Sequence, residues 1–233
     1  MANSWYLEGP PRLHVRRLGA GDSHVVMVHG IVTGSLASWL LTSAPKVAKE
    51  HAVTLFDMRG HGLSERPPSG YRISDMLDDL DRVTQGIDRF ALVGHSYGAW
   101  VSARAAERWP DRVTALFAVD PPLGSVVRDL DPEEVRPSTL RRHGRTLAET
   151  TLLADIRSET RYGPAEPKAI PCRSKFVFGR QSPYVAGAAI VEDALGADAV
   201  AILDGGHSLH VDARAEVTDM ICEFLRTSAS PGR

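Results

Sequence analysis

The sequence predicts an α/β protein built on a mostly parallel central sheet with helices on both faces. Short β-branched runs alternate with amphipathic stretches of helical length, the pattern that such a sheet and its crossovers require. At 233 residues and 43% hydrophobic content the chain supports one sizeable core and is short for two. The residues with chemistry to offer fall at the carboxyl ends of the predicted strands, where open α/β sheets hold their ligands.

In chain order, the apolar run 24–28 reads as a strand and leads into His29-Gly30. A stretch of helical length, 36–49, separates it from a second strand at 52–56, which opens onto Asp57-Met58-Arg59-Gly60-His61-Gly62-Leu63-Ser64. A helix over 73–86 follows. The run Phe90-Ala91-Leu92-Val93 then feeds directly into Gly94-His95-Ser96-Tyr97-Gly98, and a helical pattern leaves that motif over 97–109. The strand 113–119 ends in Asp120-Pro121-Pro122. Between 123 and 171 the alternation stops and the segment becomes charged and helix-prone. It is expected to be a helical lid of 123–171, inserted into a core of 1–122 and 172–233. Strands at 175–178 and 199–203 and helices at 184–195 and 214–225 complete the pattern, with 228–233 read as a frayed tail.

Bulk properties narrow the partners. A net charge of -2 gives no electrostatic case for nucleic acid or an anionic membrane surface. Cys172 and Cys222 make no disulfide framework and no zinc spacing, so no metal or redox cofactor is expected. The first residues lack the basic start and apolar core of a secretory signal, and no run approaches transmembrane length. The expectation is a cytoplasmic protein.

The strand-before, helix-after setting of Gly94-His95-Ser96-Tyr97-Gly98 presents Ser96 as a nucleophile. The plainer alternative is that the pentapeptide merely turns a loop. A serine hydroxyl is a poor nucleophile near neutrality and needs a base, an orienting acid and donors for the oxyanion. His207 is the candidate base, because it follows an apolar strand and the flexible pair Gly205-Gly206. His210 is the nearest rival, at the lip of the last helix, where a tip facing solvent is the commoner explanation. His95 reads as a packing residue and His61 as part of a loop that shapes the site's edge.

These motifs, in this order, resemble the α/β-hydrolase family from about residue 24 to 225. The resemblance implies the α/β-hydrolase fold and an oxyanion hole made by the backbone N–H groups of Ile31 and Tyr97. It also exposes a departure. The family's acid commonly follows the seventh strand, three residues beyond a glycine, and there this chain has Ser182. Asp120 is the replacement favoured here, since some family members, polyketide thioesterases among them, carry the acid on an earlier strand. An aspartate before Pro-Pro is otherwise a turn cap.

A serine at the elbow suits hydrolysis of esters, thioesters or amides, acyl transfer, or C–C bond hydrolysis. The relocated acid and short lid make the chain similar to small thioesterases and acyltransferases of bacterial specialised metabolism. They imply an acyl thioester or ester substrate, from coenzyme A or a carrier (thiolation) protein. Arg136, Arg141, Arg142 and Arg145, with His143, would dock a carrier's phosphate, or simply solvate a helix face. Val32, Trp39, Trp100 and Leu123, beside Ile31 and Tyr97, are expected to line the acyl pocket, although the same residues would serve as core. The alternatives are a small-molecule carboxylesterase or C–C hydrolase and, from another class, a ligand-binding protein that keeps the scaffold.

Overall fold

Eight strands form one sheet in the order β1-β2-β4-β3-β5-β6-β7-β8 in the computed structural model, which describes residues 3–123, 146, 148–159 and 167–228. They are β1 Asn3–Leu7, β2 Leu13–Leu18, β3 His24–Val28, β4 Ala52–Phe56, β5 Phe90–His95, β6 Val113–Val119, β7 Arg173–Gly179 and β8 Val200–Leu203. β1, β2 and β4 pair antiparallel, and every pairing from β4 through β3, β5, β6 and β7 to β8 is parallel. The parallel strands match the sequence expectation. The N-terminal hairpin of β1 and β2 lies ahead of the first strand that the sequence predicts.

Around the sheet lie α1 Ala37–Leu40, α2 Ala44–Val47, α3 Ile73–Val83, α4 Tyr97–Arg108, α5 Leu152–Glu159, α6 Gly187–Leu195, α7 Leu209–Asp212 and α8 Arg214–Ser228. The helix expected over 36–49 is instead two single turns. Pro45 is the second residue of α2, in the first turn, where its missing N–H costs nothing and its fixed φ suits a helix start.

Side chains alternate across each strand, so two cores form. Val26, Val28, Leu92, Leu116 and Ala118 face a cluster completed by α3, α4, α5 and α6. Val25, Met27, Val93, Phe117 and Val119 face the opposite cluster, completed by α1, α2, α7 and α8. α3 shows how sequence sets this placement: Ile73, Met76, Leu77, Leu80 and Val83 recur at helical spacing and are buried. Its N-terminus is closed by Asp75, whose carboxylate accepts the Arg72 backbone N–H at 2.9 Å.

Of the expected lid, α5 and the short turn Pro167–Ala169 are described. Leu152 and Ile156 of α5 belong to the same buried cluster as α3 and α4. Arg136, Arg141, Arg142, His143 and Arg145 lie outside the described residues. Among the described residues no helix is long and apolar enough to cross a membrane.

Candidate active site

The turn from β5 into α4 is tight because glycine stands at its two ends. A Cβ at Gly94 would lie 2.4 Å from the Ala99 Cα, and one at Gly98 would lie 2.3 Å from the His29 carbonyl oxygen. These glycines therefore allow close approach of strand, helix and neighbouring loop. The strained conformation falls on the serine itself, with φ 55° and ψ -126°, a region that side chains rarely adopt and that recurs at functional sites.

His207 bridges Ser96 and Asp120. Its Nε2 lies 2.9 Å from Ser96 Oγ and its Nδ1 2.5 Å from Asp120 Oδ2. An Nδ1–H donated to the carboxylate leaves Nε2 free to accept the serine proton. Asp120 is fully buried at the end of β6 with φ 49°. Its second oxygen, Oδ1, accepts the Gly179 N–H at 3.0 Å. Oδ2 also accepts the Ser182 hydroxyl at 2.5 Å. Ser182, standing where the family's acid is expected, thus holds Asp120, and its hydroxyl in turn accepts the Tyr184 N–H at 3.1 Å. Tyr184 packs its ring edge-on against His207 at 4.9 Å. No sequence signal pointed to Tyr184, whereas the departure at Ser182 was itself the signal.

Ile31 and Tyr97 face the cleft beside Ser96, and neither backbone N–H has an acceptor among the described residues. Two free amides next to a nucleophile can bind the charge that develops on a carbonyl oxygen. The loop that carries Ile31 is held from behind. His29 Nε2 accepts the Met58 N–H at 3.0 Å, and His61 Nε2 accepts the Val32 N–H at 2.9 Å. Asp57 ties the same loop down by accepting the Leu36 N–H at 2.7 Å and the His14 Nδ1–H at 2.8 Å. Val32 takes φ 66°, unusual for a β-branched residue.

His210 does not turn a polar tip to solvent. It is buried between His95, with ring centroids 4.2 Å apart, and Trp39, at 5.3 Å. Burial, and then the neighbouring His207, push its pKa down to about 4. Burial and the adjacent His210 and His207 likewise hold His95 well below the usual histidine range. His95 donates from Nε2 to the His207 carbonyl at 2.8 Å, which pins the loop that carries His207.

The cleft over Ser96 encloses about 510 Å3. Ile31, Val32 and Tyr97 line it as expected, and among the described residues no Lys, Arg, Asp or Glu does. Trp39, Trp100 and Leu123 do not line it. Trp39 is buried in the opposite core, donating its indole N–H to the Val28 carbonyl at 3.1 Å, because its place on α1 turns it beneath the sheet. Trp100 and Leu123 are buried in the cluster under α4 and α6. Among the described residues no group of His, Cys, Asp and Glu is arranged to hold a metal ion.

A parallel sheet whose central strand ends in a strained serine at a helix start, with histidine supplied after the last strand, defines a hydrolase-type α/β protein. The model of the alpha/beta hydrolase fold matches residues 23–161, and the chain belongs to that family. A 2-(acetamidomethylene)succinate hydrolase of Mesorhizobium japonicum is 31% identical over 79% of this chain and 66% of its own length. A (lyso)-N-acylphosphatidylethanolamine lipase of Homo sapiens is 31% identical over 60% of this chain and 42% of its own. The chain therefore spans less than two thirds of the length of these curated relatives. Among solved structures, a thioesterase domain from the curacin biosynthetic pathway superposes with a TM-score of 0.73 at 20% identity, covering 96% of this chain and 99% of that one.

Proposed function

We propose that the protein transfers acyl groups from esters or thioesters through a covalent Ser96 acyl-enzyme. The observation that carries this reading is the hydrogen-bonded chain from Ser96 through His207 to a fully buried Asp120. Ser96 Oγ attacks the acyl carbon as its proton passes to His207 Nε2, and Asp120 stabilises the imidazolium that forms. The Ile31 and Tyr97 amides receive the oxyanion; loss of one such donor typically costs about 3 kcal/mol of transition-state stabilisation. Collapse of the intermediate breaks the bond to the leaving thiol or alcohol, which takes the proton from His207. Water or a second substrate then gives its proton to Nε2, attacks the acyl-enzyme and restores the serine.

Thioesters carried by coenzyme A or a thiolation protein are the donors we favour. The acid on an earlier strand supports this, as does a cleft whose described lining is uncharged. The name of the Mesorhizobium relative gives a substituted succinate as its substrate.

A fluorophosphonate probe tests the nucleophile. The wild-type protein is expected to label and the Ser96→Ala variant to stay unlabelled. A wild-type protein that resists the probe, yet binds small acyl compounds, would instead be a binding protein on this scaffold.

A further inference from the structure

Between Leu203, which ends β8, and Leu209, which starts α7, the chain runs Asp204-Gly205-Gly206-His207-Ser208. Glycine loses more backbone freedom on ordering than any other residue, yet after two of them His207 must stay within hydrogen-bond reach of Ser96 and Asp120 at once. The partners that hold this loop come from outside it. Gly205 donates its N–H to Gln181 Oε1 at 2.6 Å, and its carbonyl accepts the Gln181 N–H at 3.0 Å. Gly206 donates to Asp212 Oδ2 at 3.1 Å, and the His207 carbonyl is held by His95. The loop also presses against the end of β7: a Cβ at Gly179 would lie 2.4 Å from the Gly206 carbonyl oxygen.

Resting on the acyl-enzyme reading above, we propose that Gln181 and Asp212 are positioning residues for the base, whose side-chain oxygens hold Gly205 and Gly206 so that His207 keeps both its partners. Neither belongs to the residues that line the cleft, so each acts through the loop and not on substrate. Gln181 stands next to Ser182, whose hydroxyl holds Asp120. Residues 179–183 thus fix the acid through one side chain and the base through its neighbour, and a shift of this segment would displace both. The donors are backbone N–H groups, so the side chains need to supply only an acceptor. Gln181 and Asp212 are exposed, so losing either leaves the core intact. Water takes over the freed N–H at modest cost in stability. The loss appears instead in the placement of the imidazole, where a misplacement of about 1 Å can cost on the order of a hundredfold in rate.

The test follows covalent labelling of Ser96 by a fluorophosphonate, which separates binding (KI) from the bond-forming step (kinact), in Gln181→Leu, Gln181→Glu, Asp212→Ala and Asp212→Asn. Gln181→Leu and Asp212→Ala are expected to slow kinact about three- to tenfold with KI and Tm nearly unchanged. Gln181→Glu and Asp212→Asn keep an acceptor. They are expected to stay within about twofold of wild type on the alkaline plateau of the rate, where His207 is neutral in every variant. Wild-type kinact in both Gln181→Leu and Asp212→Ala would overturn the proposal. So would an equal loss in the variants that keep the acceptor, or a loss confined to KI or Tm. The His207 Nδ1–H proton resonance gives a reading that needs no reaction. It is expected to be sharp in wild type, Gln181→Glu and Asp212→Asn, and broadened by exchange with water in Gln181→Leu and Asp212→Ala. If the wild-type protein takes no label, the acyl-enzyme reading fails separately and this resonance decides the positioning by itself: an identical signal in every variant would overturn it.

Discussion

Around Asp120, three donors converge on one buried carboxylate: the His207 Nδ1–H and the Ser182 hydroxyl on Oδ2 and the Gly179 N–H on Oδ1; the Asp120 main chain is itself fixed by donating to the Val177 carbonyl at 2.7 Å. Such a carboxylate is fixed in place and aimed at the imidazole, which is what an orienting acid requires. Asp120→Asn is expected to lower kcat by about 10³- to 10⁴-fold, read from steady-state rates on an activated ester. Ser182→Ala removes one of the donors that aim the carboxylate at His207. We expect kcat to drop about two- to tenfold at little cost in KM. Ser182→Thr, which keeps the hydroxyl, is expected to restore the rate. An unchanged kcat in Ser182→Ala would reduce Ser182 to a packing role. Sequence alone singled out Ser96, His207 and Asp120 from strand ends and flexible glycines. It could not show that Ser182 turns towards the acid, because that contact joins residues 62 positions apart across two strand ends.

The loops that build the site owe their shape to histidines the chemistry does not consume. His29 and His61 both accept backbone N–H groups, and burial lowers the pKa of His29, so it stays a neutral acceptor. His61→Ala would orphan the Val32 N–H in a loop already at an unfavourable φ. The expected result is a loss of kcat of about tenfold with KM nearly constant, since Ile31 would no longer be held against the oxyanion. Stopped-flow acylation rates measure this directly. At this scale the sequence was readable where a motif followed a strand, as at β3, β4 and β5. It was misleading where tertiary context overrode local pattern: the 36–49 stretch breaks into α1 and α2, and the hairpin β1–β2 hides its strand character behind arginines whose long stems run along the sheet.

For the molecule as a whole, the buried histidines make stability depend on pH. His29, His95 and His210 all have pKa values lowered chiefly by burial, to about 4 for His210. The unfolded chain takes up protons near pH 6.5 while the folded chain does not, so stability is complete above that point and declines as pH falls towards about 4. Each histidine contributes a slope of about 1.4 kcal/mol per pH unit within its window. Urea denaturation across this range is expected to show a falling midpoint, and His210→Asn to flatten the curve. A flat wild-type curve would mean that these rings are protonated in the fold.

Acylation of Ser96 is the step on which the functional account turns, and mass spectrometry of the quenched protein after brief exposure to an acyl thioester observes it. The account predicts an acyl increment confined to the peptide that carries Ser96, absent from Ser96→Ala and greatly slowed in Asp120→Asn. An increment on another residue, or none with any donor that the protein turns over, would contradict it.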